Sequence, residues 1–349
     1  MAQSYGAMPF SLDPDKADNV SLVFVLSTAL GTDPLRPYQK EDLRRMLKAC
    51  AADSFGIHSV TEDPGNADII LFVGAEHSDY RDVRQHPFLR KWREKCFLFD
   101  SGDKILPFMP GIYASIERRF FDPTRIRSGC YLRIFENDSV QPIGAVADAR
   151  FLYTFVGSLA NHPVRKQFSG LIHPRGYVRD TSQITEPLRR TGAPATAEFQ
   201  CSYGELLSQS KFVLCPRGFG TSSWRLFEAM KAGRVPVIVS DDWVEPDGPE
   251  WDKFSLRIRE SEVSSIPYML ENLESSAPEM GARAREEYEN WFDESVFFHR
   301  TVETCLAILG SRRVPEKYAR FKTIPQLLKP HFFRTFVLSS IKRGLLGSR

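Results

Sequence analysis

Residues Lys211 to Trp243 read KFVLCPRGFGTSSWRLFEAMKAGRVPVIVSDDW. Lys211 to Leu214 form a short apolar strand. Cys215-Pro216-Arg217-Gly218-Phe219-Gly220 then turns the chain, and Thr221, Ser222 and Ser223 stand where a helix would be capped. Ser222 to Ala232 has helical character, and Arg234 to Val239 (RVPVIV) is a further buried strand. Strand, glycine-rich turn, helix and strand in this order make one parallel α/β unit. The turn is built for an anion. Glycines let backbone come close to a ligand, and the free N–H groups of a helix start favour negative charge by about 0.3–1 kcal/mol. Arg217 and Arg225 add charge-assisted contacts to a diphosphate. Glu228, three residues beyond Arg225, is spaced to accept from vicinal ribose hydroxyls; the alternative is an i, i+3 surface ion pair. No Walker lysine pattern begins the segment. The first strand of neither half is followed by Gly-x-Gly-x-x-Gly, which counts against nucleoside triphosphatases and nicotinamide dehydrogenases.

The alternation continues outward. Val20 to Leu26 (VSLVFVL) and Ala67 to Val73 (ADIILFV) are continuous apolar runs, the pattern of strands buried on both faces of a parallel sheet. Between them Leu43, Met46, Leu47 and Cys50 mark one helix face, and a second helix is expected around Phe88 to Lys95 before a strand at Cys96 to Phe99. Glu136 to Arg150 is rich in turn-forming and small residues, and the domain boundary is set there. Phe151 to Val156 (FLYTFV) opens a second series, with a helix near Pro163. The expected fold is α/β: an acceptor-side unit over 1–150, a second α/β unit over 151–325 facing it across a central cleft, and a basic tail over 326–349. A chain of 349 residues has room for two such units.

The net charge of +2 excludes a general polyanion binder, so no nucleic-acid partner is expected. The charge is uneven, however: residues 311–349 hold ten basic side chains against Glu316 alone. Six cysteines without Cys-x-x-Cys spacing suggest reduced thiols, not zinc or disulfides, and no signal peptide or apolar span of about 20 residues is evident. A cytoplasmic protein is expected. Phe332 to Leu346 (FFRTFVLSSIKRGLL) combines apolar and basic residues without an acid, which suits peripheral contact with an anionic membrane face; the alternative is a closing helix on the first unit.

The central segment resembles the nucleotide-sugar-binding core of exostosin-like glycosyltransferases. The resemblance extends to Trp251-Asp252-Lys253-Phe254-Ser255-Leu256-Arg257-Ile258, to Phe155-Val156-Gly157 with Arg165, and to Thr61-Glu62-Asp63-Pro64-Gly65-Asn66-Ala67-Asp68. It implies a GT-B architecture of two Rossmann-like domains and an inverting transfer from a nucleotide-diphosphate sugar, usually UDP-linked, to a glycan or lipid-linked oligosaccharide in polysaccharide synthesis. By the same resemblance Arg217, Ser222, Ser223 and Arg225 hold the diphosphate and Glu228 the ribose, and Gly218 belongs to the same substrate-binding turn. Gly157 and Arg165 line the facing wall, and Asp241 and Asp242 border the sugar or base. Two alternatives are a catalytically inactive nucleotide-sugar-binding scaffold and a retaining transferase.

Retaining GT-B enzymes commonly place a glutamate eight residues before the ribose-binding one; here that position is Gly220, which favours inversion. Inversion needs a general base and stabilisation of the leaving diphosphate. Two arginines and a helix start supply the second, so no metal or other cofactor is expected, the nucleotide sugar being a co-substrate. The base should lie at a carboxyl end of a first-unit strand. His77, Asp79, Asp100 and Asp103 qualify, with Asp103 first and His77 second. His162 and His173 are read as loop caps, Trp224 and Phe227 as core on the inward helix face, and Trp243 as packing under a strand end.

Overall fold

The computed structural model describes residues 21–319 except 30–34, 36, 75–79, 104, 143 and 192–194, together with residues 321, 328 and 333. Its strands fall into two parallel sheets. The first contains β1 (Leu22–Ser27), β2 (Ser59–Val60), β3 (Ile69–Val73), β4 (Cys96–Asp100), β5 (Gly111–Tyr113) and β6 (Ile126–Ser128), in the order β2-β1-β3-β4-β5-β6. The second contains β7 (Phe151–Gly157), β8 (Gly176–Asp180), β9 (Ser210–Pro216), β10 (Val235–Val239) and β11 (Leu256–Ile258), in the order β11-β10-β9-β7-β8. Every pairing within both sheets is parallel. β3, β4 and β10 are buried at every position, as their unbroken apolar runs require. The α/β reading with two Rossmann-like units therefore holds. The short strands β2, β5, β6, β8 and β11 have no comparable apolar run and lie outside the expected set.

Strand order dictates where a ligand can sit. In the second sheet β7 runs outward to β8 on one side, and the chain then returns to β9 on the other. The crevice opens between the carboxyl ends of β7 and β9, at the point where the winding reverses. β7 ends at Gly157 and β9 at Pro216, so Gly157 and the Arg217-Gly218 turn meet there because of topology. The helix Trp224–Lys231 then leads back to β10. Gly233, in the left-handed region at φ +67°, ends it, with Gly233 N–H donating to Met230 O and Arg234 N–H to Ala229 O.

The two units are pinned together beside this crevice. Thr221 Oγ1 donates to Ile116 O, Ser128 Oγ to Val244 O, and Arg118 N–H to Asp242 O. One apolar core also draws on both sheets, including Phe99 and Ile112 with Phe227, Met230 and Tyr288.

The expected span of the second unit needs correction. The helix Glu294–Ser311, capped by Asp293 accepting from Ser295 N–H, packs on the first-unit helix Pro37–Ala52. Phe297 meets the Phe99 ring edge-on, Lys48 Nζ lies 2.8 Å from Glu294, and His58 Nε2 lies 2.9 Å from Glu303 Oε1. The segment Glu316–Ala319 adds a buried Arg125–Glu316 ion pair. Residues 294–319 thus close over the first unit, because their apolar stripe finds its cover there. Apart from residues 328 and 333, the 326–349 tail lies outside the described residues. No described helix is long and apolar enough to cross a membrane. The six cysteines are unpaired. Burial pushes the thiols of Cys50, Cys96 and Cys215 up to about 12, so they are inert.

Candidate active site

The floor of the crevice holds two buried guanidinium groups, Arg165 at 4% exposure and Arg225 at 8%. Among the described residues neither has a carboxylate at ion-pair distance. Burial, and then the charge of Arg225, lowers the pKa of Arg165 to about 9. Unpaired buried charge is costly, so two such groups side by side call for an anion. Their roles differ. Arg165 is spent on the backbone: Nε donates to Arg217 O at 2.7 Å, Nη1 to Ser158 O at 3.1 Å and Nη2 to Pro216 O at 3.1 Å. It staples the helix Pro163–Lys166 to the end of β9. Arg225 uses only Nε, donating to Val156 O at 2.6 Å, while its guanidinium lies over the Phe155 ring. Its Nη groups rest against Gly157, where a Cβ would overlap Nη2. A side chain at 157 would push the Arg225 guanidinium out of this position.

The start of the helix Trp224–Lys231 is uncapped. Ser223 has the extended backbone of an N-cap, yet its side chain does not turn onto a helix amide. Its Oγ is buried without a partner, as is that of Ser222, which neighbours the Tyr131 hydroxyl. Two buried hydroxyls and an uncapped helix start thus lie next to Arg225 in the chain, a set suited to phosphate oxygens.

Asp103 stands across from this loop, on the first unit. A Cβ on Gly220 would overlap Ser115 Oγ and come within 2.9 Å of Asp103 Oδ1. Tyr131 O–H donates to Asp103 Oδ1 at 3.0 Å and is 2.6 Å from Ser115 Oγ; Ser222 N–H donates to Ser115 Oγ at 3.4 Å. Asp103 itself is exposed. Nothing in the sequence signalled Ser115 or Tyr131, since each is one polar residue in a non-periodic loop.

Other expected residues are placed differently. His77 and Asp79 lie outside the described residues. Asp100 is fully buried, accepting from Tyr80 O–H and Gly102 N–H, and cannot meet a substrate. Arg217 Nη1 is drawn to Glu260 (3.5 Å) and Asp242 (3.7 Å). Asp241 is engaged with the backbone and carboxylate of Glu260. Gly218 packs against Arg165 Nη2, 3.0 Å from its virtual Cβ. His162 and His173 cap turns, accepting from Val164 N–H and Arg175 N–H. Trp243 is buried against Trp251 and under Arg257.

Phe227 is core, but Trp224 is not: it is 40% exposed. Its position at the first helical residue turns it off the inward face toward Tyr131 and Arg133 of the first unit.

Glu228 lies one turn along the helix. Burial raises its pKa, partly offset by the Tyr203 hydroxyl, which donates to Oε2 at 2.6 Å, and by Arg225. A carboxyl whose folded pKa exceeds its unfolded value loses stability as pH rises from about 4.5 through the folded value. Glu228→Gln keeps an acceptor for Tyr203 and removes the buried charge. Urea melts of the ligand-free protein are expected to show a stability gain for the variant that grows with pH across this window, while UDP affinity at pH 7 falls. A gain that does not change with pH would mean that the charge is not the cause.

With this geometry established, comparison with known proteins is informative. The Exostosin GT47 domain family matches residues 121–273, from the end of the first sheet through the whole second sheet. Over these residues, less than half of its length, the chain is similar to the exostosin family. An exostosin-1 homolog from Caenorhabditis elegans is 39% identical over 70 residues, 20% of this chain and 18% of the relative. A probable glucuronosyltransferase from Oryza sativa is 35% identical over 80 residues, 22% of this chain and 18% of the relative. The exostosin likeness to these curated relatives thus spans less than a fifth of their length. Among solved structures, Anabaena Alr3699/HepE in complex with UDP-glucose aligns with 83% of this chain and 100% of its own at 11% identity and a TM-score of 0.41.

Proposed function

We propose that this chain is an exostosin-like glycosyltransferase that transfers a sugar from a nucleotide-diphosphate donor, UDP-linked as the family likeness implies, to a hydroxyl of a glycan or lipid-linked oligosaccharide, with inversion. The second unit binds the donor and the first presents the acceptor. The observation that carries the reading is the anion-seeking crevice floor: Arg225 with free Nη groups beside the unpartnered hydroxyls of Ser222 and Ser223. In the reaction, Asp103 takes the proton of the acceptor hydroxyl, that oxygen bonds to the anomeric carbon, and the carbon–oxygen bond to the diphosphate breaks. Arg225 and the helix start stabilise the departing charge, so turnover survives chelation of divalent metal. Inversion is supported by the packing at Gly220, where Ser115 leaves no room for a donor-side glutamate.

Calorimetry with UDP and candidate UDP-sugars, together with assay of UDP release, tests this. UDP at about 100 times its dissociation constant should stabilise the protein by roughly 2.7 kcal/mol. Arg225→Ala should weaken UDP about 100-fold, the loss of a charged hydrogen-bonding pair. Unaltered UDP affinity in that variant would exclude this crevice as the donor site. Binding without turnover, across an acceptor panel, would leave a nucleotide-sugar-binding protein.

A further inference from the structure

We infer that Trp224 is the platform on which the acceptor sugar stacks. The inference rests on the transferase reading and adds to it the contact that orients the second substrate. Four observations lead there. Trp224 is an exposed indole at the first position of the very helix whose start faces the crevice. Its neighbours belong to the first unit: Tyr131 meets it edge-on with ring centres 6.4 Å apart, and the Arg133 guanidinium lies 5.8 Å from its ring centre. Tyr131 in turn donates to Asp103, so the indole is one residue from the base. Finally, exposing an indole forgoes the burial its area would gain in a core, whereas Phe227, one turn further along the same helix, is fully buried.

The identity of the occupant follows from direction. The Tyr203–Glu228 pair marks the ribose end, one turn into the helix, and the unpartnered serines mark the diphosphate at its start. Continuing along that line, the donor sugar and then the acceptor lie toward the first unit, where Trp224 points. A pyranose presents a face of C–H groups that packs on an aromatic ring while its hydroxyls stay solvated, so an indole beside the base can hold a ring and still leave one hydroxyl directed at Asp103.

The test uses the full chain and four defined probes: UDP, and the methyl β-glycosides of glucose, xylose and galactose. Tryptophan emission of the wild type is expected to be quenched on titration with at least one glycoside. Trp224→Phe should abolish that quench, and Trp224→Ala should weaken the same glycoside about tenfold by calorimetry. UDP affinity should stay within twofold in both variants. A quench that persists in Trp224→Phe, or no glycoside response in the wild type, overturns the proposal. Loss of UDP affinity in Trp224→Ala also overturns it, by making the indole a nucleobase platform. Because UDP is measured separately, failure of the donor site itself is read independently of failure of the Trp224 assignment.

Discussion

Asp103→Asn is expected to lower turnover by about 10²–10⁴-fold, the usual contribution of a positioned general base, with UDP affinity unchanged. The substitution is conservative in shape. Asparagine keeps an oxygen that accepts from the Tyr131 hydroxyl, so the Tyr131–Ser115 contact and its link to Ser222 N–H persist, and the melting temperature should stay close to wild type. What disappears is the ability to take a proton from the acceptor. Tyr131→Phe probes the positioning side of the same assembly. It removes the hydrogen bond that orients the carboxylate but leaves the base, so turnover should fall by a smaller factor than in Asp103→Asn, with UDP affinity unchanged. Turnover of Asp103→Asn near wild type would move the base to another group at the crevice.

Much of this arrangement was legible in the sequence because two independent constraints coincide in one segment. The apolar runs of β3, β9 and β10 can only be strands buried on both faces, and a glycine-rich turn between two of them fixes a parallel unit with a helix start at its mouth. Ser222 and Ser223 therefore fell at the helix start and Arg225 and Glu228 on the helix, while their assignment to a donor came from the family resemblance. Spacing could not reveal which guanidinium is free. Arg165 and Arg225 look equivalent as letters, and only the fold shows that the first is consumed by three carbonyls while the second is bonded once. Trp224 was misread for a related reason. A large aromatic at helical spacing from Phe227 fits a core stripe, but the first turn of a helix at a domain mouth has one side with nothing of its own domain to cover it. The first-unit wall was the least readable part, since Ser115, Tyr131 and Asp103 come from three separate loops that only the order of β4, β5 and β6 brings together.

Arg165 carries the second large prediction, and it concerns stability. Its three backbone acceptors lie on two different segments: Ser158 follows β7, while Pro216 and Arg217 end β9. Arg165→Ala orphans all three carbonyls in a buried place. At about 1–2 kcal/mol per unsatisfied buried acceptor, the expected loss is roughly 3–6 kcal/mol, partly reduced where water enters the space. The opposing term is real: the wild-type guanidinium is desolvated and sits near Arg225, which is why its pKa is lowered, and removing it relieves that repulsion. The hydrogen bonds should win, because a like-charge cost is shared with solvent and counter-ions whereas a missing donor has no substitute from the protein. Lysine in its place offers one ammonium for three acceptors in a planar array, so Arg165→Lys should recover only part of the loss. Urea melts followed by far-UV circular dichroism separate the outcomes. A variant as stable as wild type that has lost UDP binding would make Arg165 a direct phosphate ligand and not a brace. A destabilised variant whose folded fraction still binds UDP within a few-fold would establish that its work is to hold the Arg217-Gly218 turn in place, which leaves Arg225 as the guanidinium that meets the diphosphate.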